Sequence, residues 1–172
     1  MNIVARLSLS MAAMMGVLAA APAIAHPDDP TQGGAGGRII RVTTLAKDGP
    51  GSFAEALATK GPRIIVFEVG GAIDLDRSVL KIDEPFVTIA GQTAPAPGIT
   101  LMRGGIDVTT HDVVMSHMRV LNGADGAPLM SGWEADSFST VAAHDVVVEN
   151  NTFLWAVDEN MSASGPRFTG NS

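Results

Sequence analysis

Four acidic residues stand close together in two short segments of the second half of the chain. Glu134 and Asp136 lie in "GWEADSFST", and Asp158 and Glu159 lie in "WAVDENMSAS". Carboxylate oxygens are the ligands that calcium prefers, and each ion takes several of them. The residues alone leave two interpretations open, which are a calcium site and a set of solvated acids in turns.

Two histidines begin an identical sequence of four residues. His111 and His144 both open His-Asp-Val-Val, and the copies lie 33 positions apart. Each copy continues with alternating apolar and polar residues, which is the period of a β-strand. We interpret the copies as strands that enter the same edge of adjacent coils. This favours hydrogen bonding at a turn edge for the two histidines over a chemical role.

Short apolar segments separated by Gly, Pro and Asp predict an all-β fold. The predicted strands are 38–45, 63–69, 71–75, 78–82, 86–91, 99–104, 112–120, 138–143 and 145–153. Their apolar centres at Ile65, Val87, Val113 and Val146 are 22, 26 and 33 residues apart. Periods of roughly 20 to 50 residues indicate a solenoid, and without helices each repeat is one coil of a parallel β-helix. A β-sandwich is the alternative, which the scarcity of hairpin turn sequences disfavours.

The segment "SFAEALATKG" predicts the single helix of the domain. Ser52 followed by Glu55 is a capping box, and an apolar face follows at positions 53, 56 and 57. Gly61 and Pro62 end the pattern. We expect a short N-terminal capping helix that covers the exposed edge of the first coil, because an uncovered strand edge promotes aggregation.

The first 25 residues have the pattern of a secretory signal peptide. A segment with Arg6 precedes an apolar run, and the run ends in Ala23-Ile24-Ala25. Residues 1–25 are therefore predicted to be removed, which makes the protein secreted, either extracellular or periplasmic. The alternative, a membrane anchor, is disfavoured because the run is short and "HPDDP" follows it. Residues 26–37 are predicted to be a flexible leader, and 38–172 to form the β-helix domain.

The charge balance disfavours some classes of partner. The whole chain has a net charge of −7, and without Arg6 it keeps 10 basic against 18 acidic side chains. An acidic chain disfavours nucleic acid as a partner. It also disfavours direct attraction to an acidic polymer unless a cation lies between them. The chain has no cysteine, so it can form neither a disulfide nor a thiolate metal site.

Four longer segments carry a resemblance to a known family. "PGSFAEAL", "GPRIIVFEVGGAIDL", "VTIAGQTAPAPGITL" and "WAVDENMSASGPRF" resemble extracellular pectate lyases of the polysaccharide lyase family 1 type, over about Arg38 to Phe168. The resemblance implies a right-handed parallel β-helix and secretion. It also implies calcium-dependent β-elimination of polygalacturonate, the acidic polysaccharide of pectin. We expect a monomer when complete, with no membrane attachment after removal of the signal peptide.

The resemblance also implies roles for some of the acids. β-Elimination needs a base for the proton α to a uronate carboxylate, and calcium between protein and substrate carboxylates neutralises the developing charge. Asp136 and Asp158 match acids that hold this calcium in the family. The family's next acid corresponds to Ser162, a weaker neutral ligand, so Glu159 is expected to substitute for it, with Glu134 as a further candidate.

The chain departs from the family pattern in two places that bear on catalytic activity. The segment 148–151 is Val-Glu-Asn-Asn, where the family often has Ile-Asp-His-Cys. The family's catalytic base is an arginine that comes later in the chain, and the context of Arg167 is that of a surface arginine. We therefore expect an N-terminal portion of a pectate lyase whose catalytic arginine lies beyond Ser172. The alternatives are a non-catalytic β-helical module that binds polysaccharide or a cell surface, and an inactive truncated fragment.

Overall fold

A computed structural model describes residues 31–124 and 130–165 of the chain. The predicted signal peptide, residues 26–30 of the predicted leader and Arg167 lie outside these residues. The described elements are β1 Arg38–Val42, α1 Phe53–Leu57, β2 Arg63–Phe67, β3 Gly71–Ile82, β4 Val87–Ala90, a 3-10 turn Gly91–Thr93, β5 Ile99–Val108, β6 His111–Ser116, β7 Met118–Leu121, β8 Phe138–Val141, β9 His144–Glu149, β10 Thr152–Leu154 and β11 Ser162–Ser164.

The described strands form curled, parallel β-sheet. One sheet has the order β1-β2-β4-β6-β9, and the other has the order β10-β7-β5-β8-β11, with β3 also paired to β5. Every strand pair between described residues is parallel. β5 is long enough to pair with β7 through its first half and with β8 through its second half. This arrangement is consistent with a parallel β-helix, and it disagrees with the β-sandwich alternative, whose sheets are antiparallel.

The two copies of His-Asp-Val-Val lie side by side, as predicted. His111 pairs with His144, and Val113 pairs with Val146, in the parallel register of β6 and β9. Asp112 and Asp145 have φ values of 53° and 52°, so the second residue of each strand is left-handed. The repeated sequence therefore reflects a repeated corner and strand.

The core consists of apolar side chains at matching positions of successive strands. Ile65, Ile89 and Met115 are register partners in β2, β4 and β6, and all three are fully buried. Val148 continues this column in β9 and is only partly buried. Because alternate residues of a strand share one face, the column fixes which residues of each strand point outward.

Several predicted strand boundaries differ from those of the structure. Segments 71–75 and 78–82 form the single strand β3, whose register with β5 shifts between Asp74 and Ser78. The predicted strand 112–120 divides into β6 and β7 at His117, which has a φ of 57°. The predicted strand 145–153 divides into β9 and β10, and Asn150 takes the expected left-handed bend with a φ of 54°. β11 was not predicted.

The predicted capping helix is absent as an element that covers the first coil. The chain instead forms one helical turn, Phe53–Leu57, whose amide at Glu55 is capped by Ser52 Oγ at 3.2 Å, so the cap at Ser52 is confirmed. The reciprocal bond differs from that of a capping box, because Glu55 Oε2 accepts from the amide of Gly51 at 2.7 Å. Arg63 Nη2 donates to the carbonyl of Leu57, the last residue of this turn, at 2.7 Å. The described residues contain no helix that is long and apolar enough to cross a membrane.

Candidate functional site

Parallel pairing of β8 and β11 brings two acidic turns together. Ser139 of β8 and Ser162 of β11 are register partners, so the residues that precede the two strands also lie side by side. The amide of Ser137 donates to the carbonyl of Glu159 at 3.1 Å and fixes the distance between the turns. The acids of "GWEADSFST" and "WAVDENMSAS" therefore meet at one edge of the sheet.

Hydrogen bonds hold the carboxylate of Asp136 in place. Its Oδ1 accepts from the amide of Glu159 at 3.1 Å, and its Oδ2 accepts from the hydroxyl of Ser162. Asp136 is partly buried, whereas Asp158 and Glu159 are exposed. The site thus has one oriented, partly buried carboxylate and two exposed carboxylates beside it.

The three carboxylates repel one another. One oxygen from each of Asp136, Asp158 and Glu159 lies within 4.8 Å of the others. The negative charge of Asp158, helped by a hydrogen bond to it and by Asp136, raises the pKa of the Glu159 carboxyl above its usual value. The ion pairs between described residues include none of these acids. The cluster is therefore an uncompensated concentration of negative charge.

These oxygens fit the needs of a calcium ion. Calcium binds oxygen at about 2.3 to 2.6 Å, so two ligands on one ion lie no more than about 5 Å apart. The spacing of at most 4.8 Å between the oxygens of Asp136, Asp158 and Glu159 satisfies this limit. Glu134 is exposed and is not part of this group among the described residues.

A second acidic cluster has a different character. Asp74 receives two hydrogen bonds from the guanidinium of Arg103, at 2.8 and 2.9 Å, and Asp76 receives one at 3.1 Å. The hydrogen bond from Arg103 is the largest cause that lowers the pKa of Asp74 below its ordinary value. Because an arginine already compensates these acids, this cluster is a poor cation site.

The paired histidines form hydrogen bonds and stack at the start of β6 and β9. Nδ1 of His111 is 2.8 Å from Oδ2 of Asp112, and Nδ1 of His144 is 2.9 Å from Oδ2 of Asp145. The two rings stack with centroids 4.9 Å apart and planes 3° apart. Parallel rings cannot both aim a nitrogen lone pair at one ion between them, so hydrogen bonding and stacking describe their role, as the sequence indicated.

One contact of the site was not predicted from the sequence. The resemblance predicts an acid at the position of Ser162, and a serine hydroxyl is a weaker calcium ligand than a carboxylate. Its hydroxyl instead donates to Asp136, which orients that carboxylate. The signal that could have identified this role is the 23-residue offset between Ser139 and Ser162, which places Ser162 one strand away from the Asp136 turn.

No protein-family model matches the chain. Among curated proteins it is 36% identical over 135 residues to the probable pectate lyase C of Emericella nidulans. It is 35% identical to that of Aspergillus terreus and 33% identical to that of Aspergillus flavus, over the same length. These matches cover 77% of this chain and 30% of each relative, so the chain spans about 30% of the length of the curated relatives that it matches.

Proposed function

We propose that this chain, which is related to proteins named probable pectate lyase C, forms the N-terminal coils and part of the calcium site of a secreted pectate lyase. The substrate class is an acidic polysaccharide, polygalacturonate. The reaction is calcium-dependent β-elimination. The observation that carries the proposal is the meeting of Asp136, Asp158 and Glu159, on two turns, without a compensating cation among the described residues.

The parallel register supports a right-handed parallel β-helix as the fold of the proposed enzyme. The chain passes from a strand of the first sheet to a strand of the second and returns to pair in parallel with its predecessor, as β4, β5 and β6 do. Repetition of this path lines up the turns on one flank. A long polymer can then lie across turns from successive coils, which suits an extended polysaccharide.

The electrostatics support a calcium site. The chain carries a net charge of −7, and the three acids would repel a polyuronate. Calcium, when bound, supplies positive charge that offsets much of the repulsion among the acids and holds a uronate carboxylate beside them. Asp136 would be the fixed ligand, because Ser162 and the Glu159 amide orient it. Asp158 and Glu159 are exposed and would adjust to the ion.

In this proposal the chain's own residues bind calcium and position the polysaccharide, and no catalytic base is assigned to them. The base that the resemblance implies is an arginine later in the sequence than Ser172. A base typically contributes about 10²- to 10⁴-fold to the rate. The present chain should therefore bind polygalacturonate with calcium but show no elimination.

Calorimetric titration of calcium into the purified chain tests the metal site. We expect Asp136→Asn and Asp158→Asn each to weaken calcium binding by at least about tenfold. The control is Glu68→Gln, which changes an exposed acid that pairs with Arg41. Equal calcium affinity in all the variants would show that this cluster is not the site.

An activity assay tests the rest of the proposal. The chain is incubated with polygalacturonate and calcium, and the ultraviolet absorbance of the unsaturated product is followed. A flat signal together with calcium-dependent binding of the polymer agrees with the proposal. A steady, calcium-dependent rise would place the base within this chain, and an absence of polymer binding with calcium present would refute the proposed substrate class.

A further inference from the structure

Both tryptophans of the chain stand three residues before an acid of the candidate site. Trp133 precedes Asp136 in "WEAD", and Trp155 precedes Asp158 in "WAVD". Each tryptophan therefore lies on one of the two turns whose acids meet with Glu159. Because three residues of extended chain span at most about 11 Å, both indoles are anchored close to the carboxylates.

Hydrogen bonds attach both tryptophans to the same glycine. The amide of Gly123 donates to the carbonyl of Trp155 at 2.8 Å. The ring nitrogen of Trp133, which is partly buried, donates to the carbonyl of Gly123 at 3.4 Å. The indole of Trp133 and the main chain at Trp155 are thus both fixed to this glycine, whereas the indole of Trp155 is left for another contact.

A left-handed main chain accompanies the outward position of the Trp155 indole. The amide of Asn122 donates to the carbonyl of Leu154 at 3.2 Å, so the parallel register of β7 and β10 extends to Asn122 and Trp155. Asn122 is buried, whereas Trp155 has a φ of 60° and is 68% exposed. A left-handed main chain is unusual for a bulky residue. The fold therefore holds this indole in solvent although its strand partner is buried.

The exposure of Trp155 does not follow from its place in the last described strands. Val146, Val148 and Phe153 lie in β9 and β10 as well, and they pack against the core although no further described strand covers them. The ring contacts between described residues involve only phenylalanine and histidine. Tryptophan is highly buried on average, so an indole exposed beside a cluster of acids indicates a surface that binds a ligand.

We propose that Trp155 is a platform for a sugar ring of the acidic polysaccharide. This inference rests on the proposed function and adds a second contact to it. The faces of a pyranose ring carry C–H groups, which the electron-rich face of an indole attracts. The uronate next to the one held at the three acids would pack its ring against Trp155. Stacking requires no positive charge on the protein, so it suits a chain of net charge −7 that binds an acidic polymer.

Fluorescence quenching of the whole chain tests the contact directly. The chain has two tryptophans, so Trp133→Phe leaves Trp155 as the single fluorophore. We expect acrylamide to quench Trp155 readily in the free chain. Saturating polygalacturonate with calcium should reduce this quenching by about twofold or more, because stacking covers one of the two faces of the ring. The control is Trp155→Phe, in which the partly buried Trp133 should respond much less.

Binding measurements separate this inference from the proposed function. Trp155→Ala should weaken the calcium-dependent binding of polygalacturonate by about tenfold and leave calcium affinity without the polymer unchanged. Trp155→Phe keeps an aromatic ring and should lose less. The matched control is Ile39→Ala, because Ile39 is a large apolar side chain that is 54% exposed in β1. Asp136→Asn, in contrast, should weaken the binding of both calcium and the polymer.

The possible outcomes have distinct meanings. Equal polymer binding by Trp155→Ala and Ile39→Ala would overturn the platform. Protection of Trp155 from acrylamide in the free chain would overturn it too, because another segment or a second copy would then cover the indole. A parent chain that binds calcium but no polymer would refute the proposed substrate class and the platform together. Polymer binding that Trp155→Ala weakens and Asp136→Asn leaves intact would support the platform and refute the calcium site.

Discussion

Replacing Arg63 by methionine should destabilise the protein strongly, although arginine is usually a surface residue. Arg63 is the first residue of β2, and it is fully buried. Its guanidinium donates to four main-chain carbonyls. They belong to Leu57 at 2.7 Å, Pro85 at 3.0 Å, Glu84 at 3.2 Å and Gly61 at 3.3 Å. One side chain thus joins the helical turn, the turn before β2 and the turn before β4.

The size of the effect can be estimated from these contacts. A hydrogen bond with a charged partner contributes about 1.5 to 3 kcal/mol, and the bonds to Leu57 and Pro85 have good lengths, whereas the other two are longer. Burial opposes this gain, since desolvation is the main cause that lowers the pKa of Arg63 below its ordinary value. Methionine would fill much of the volume and leave the carbonyls without a donor. We therefore expect a loss of about 3 to 5 kcal/mol.

Thermal melting measures this loss, because about 1 kcal/mol shifts the melting temperature of a domain of this size by roughly 2 to 4 °C. Arg63→Met should thus melt roughly 6 to 20 °C below the parent protein. Arg41→Met is the control, since Arg41 forms an exposed ion pair with Glu68 that should contribute under about 1 kcal/mol. If Arg63→Met melts within 2 °C or so of Arg41→Met, the four carbonyl contacts do not stabilise the fold and the reasoning fails.

Two further predictions concern local hydrogen bonds. Ser52→Ala removes the acceptor for the Glu55 amide and should lower the free energy of unfolding by about 1 kcal/mol in denaturant melts, without changing calcium binding. Partial burial tends to raise the pKa of Asp112, but hydrogen bonds from His111 and the Gln32 amide lower it below its ordinary value overall. A lowered carboxyl pKa stabilises the fold above the unfolded value of about 4 and loses this effect as the pH falls. Asp112→Asn should therefore lose less stability than the parent between about pH 5 and pH 2, and an unchanged acid profile would contradict this.

The sequence could predict the parts of the fold that repeat. His-Asp-Val-Val recurs because β6 and β9 lie in the same register, and alternation within each copy identifies Val113 and Val146 as core residues. The cap at Ser52 was also evident, because it depends only on residues three positions apart. These features are local or periodic, and neither needs knowledge of distant contacts.

Other features depend on contacts that no local pattern encodes. An arginine at the start of a strand indicates an edge residue, yet Arg63 pairs in register with Val87 and points into the core. β11 has the sequence Ser-Ala-Ser, which has no apolar alternation, and it exists because β8 offers it a partner. The helix ends at Leu57, whose carbonyl accepts from Arg63, whereas the propensity pattern continues further.

The candidate site shows the same division between local and distant information. The acid types were evident in the sequence, but the separation of Glu134 from the other three acids follows from the course of the turns. Acidity alone does not distinguish this site, since Asp74 and Asp76 also lie together. The difference is that Arg103 binds Asp74 and Asp76, whereas the ion pairs between described residues include none of the acids around Asp136.

This contrast gives the physical reason why the calcium site is proposed at one cluster and not at the other. At Asp74 the arginine lowers the carboxyl pKa, so a second cation would meet a charge that is already neutralised. At Glu159 the neighbouring carboxylates raise the pKa, so the arrangement is unfavourable until a proton or a cation relieves it. Ser162 and the Glu159 amide hold Asp136 within this repulsive group. A chain that fixes a carboxylate among other carboxylates keeps a site whose repulsion a divalent ion would largely relieve, and at the proposed site such an ion would let an acidic polysaccharide approach this acidic protein.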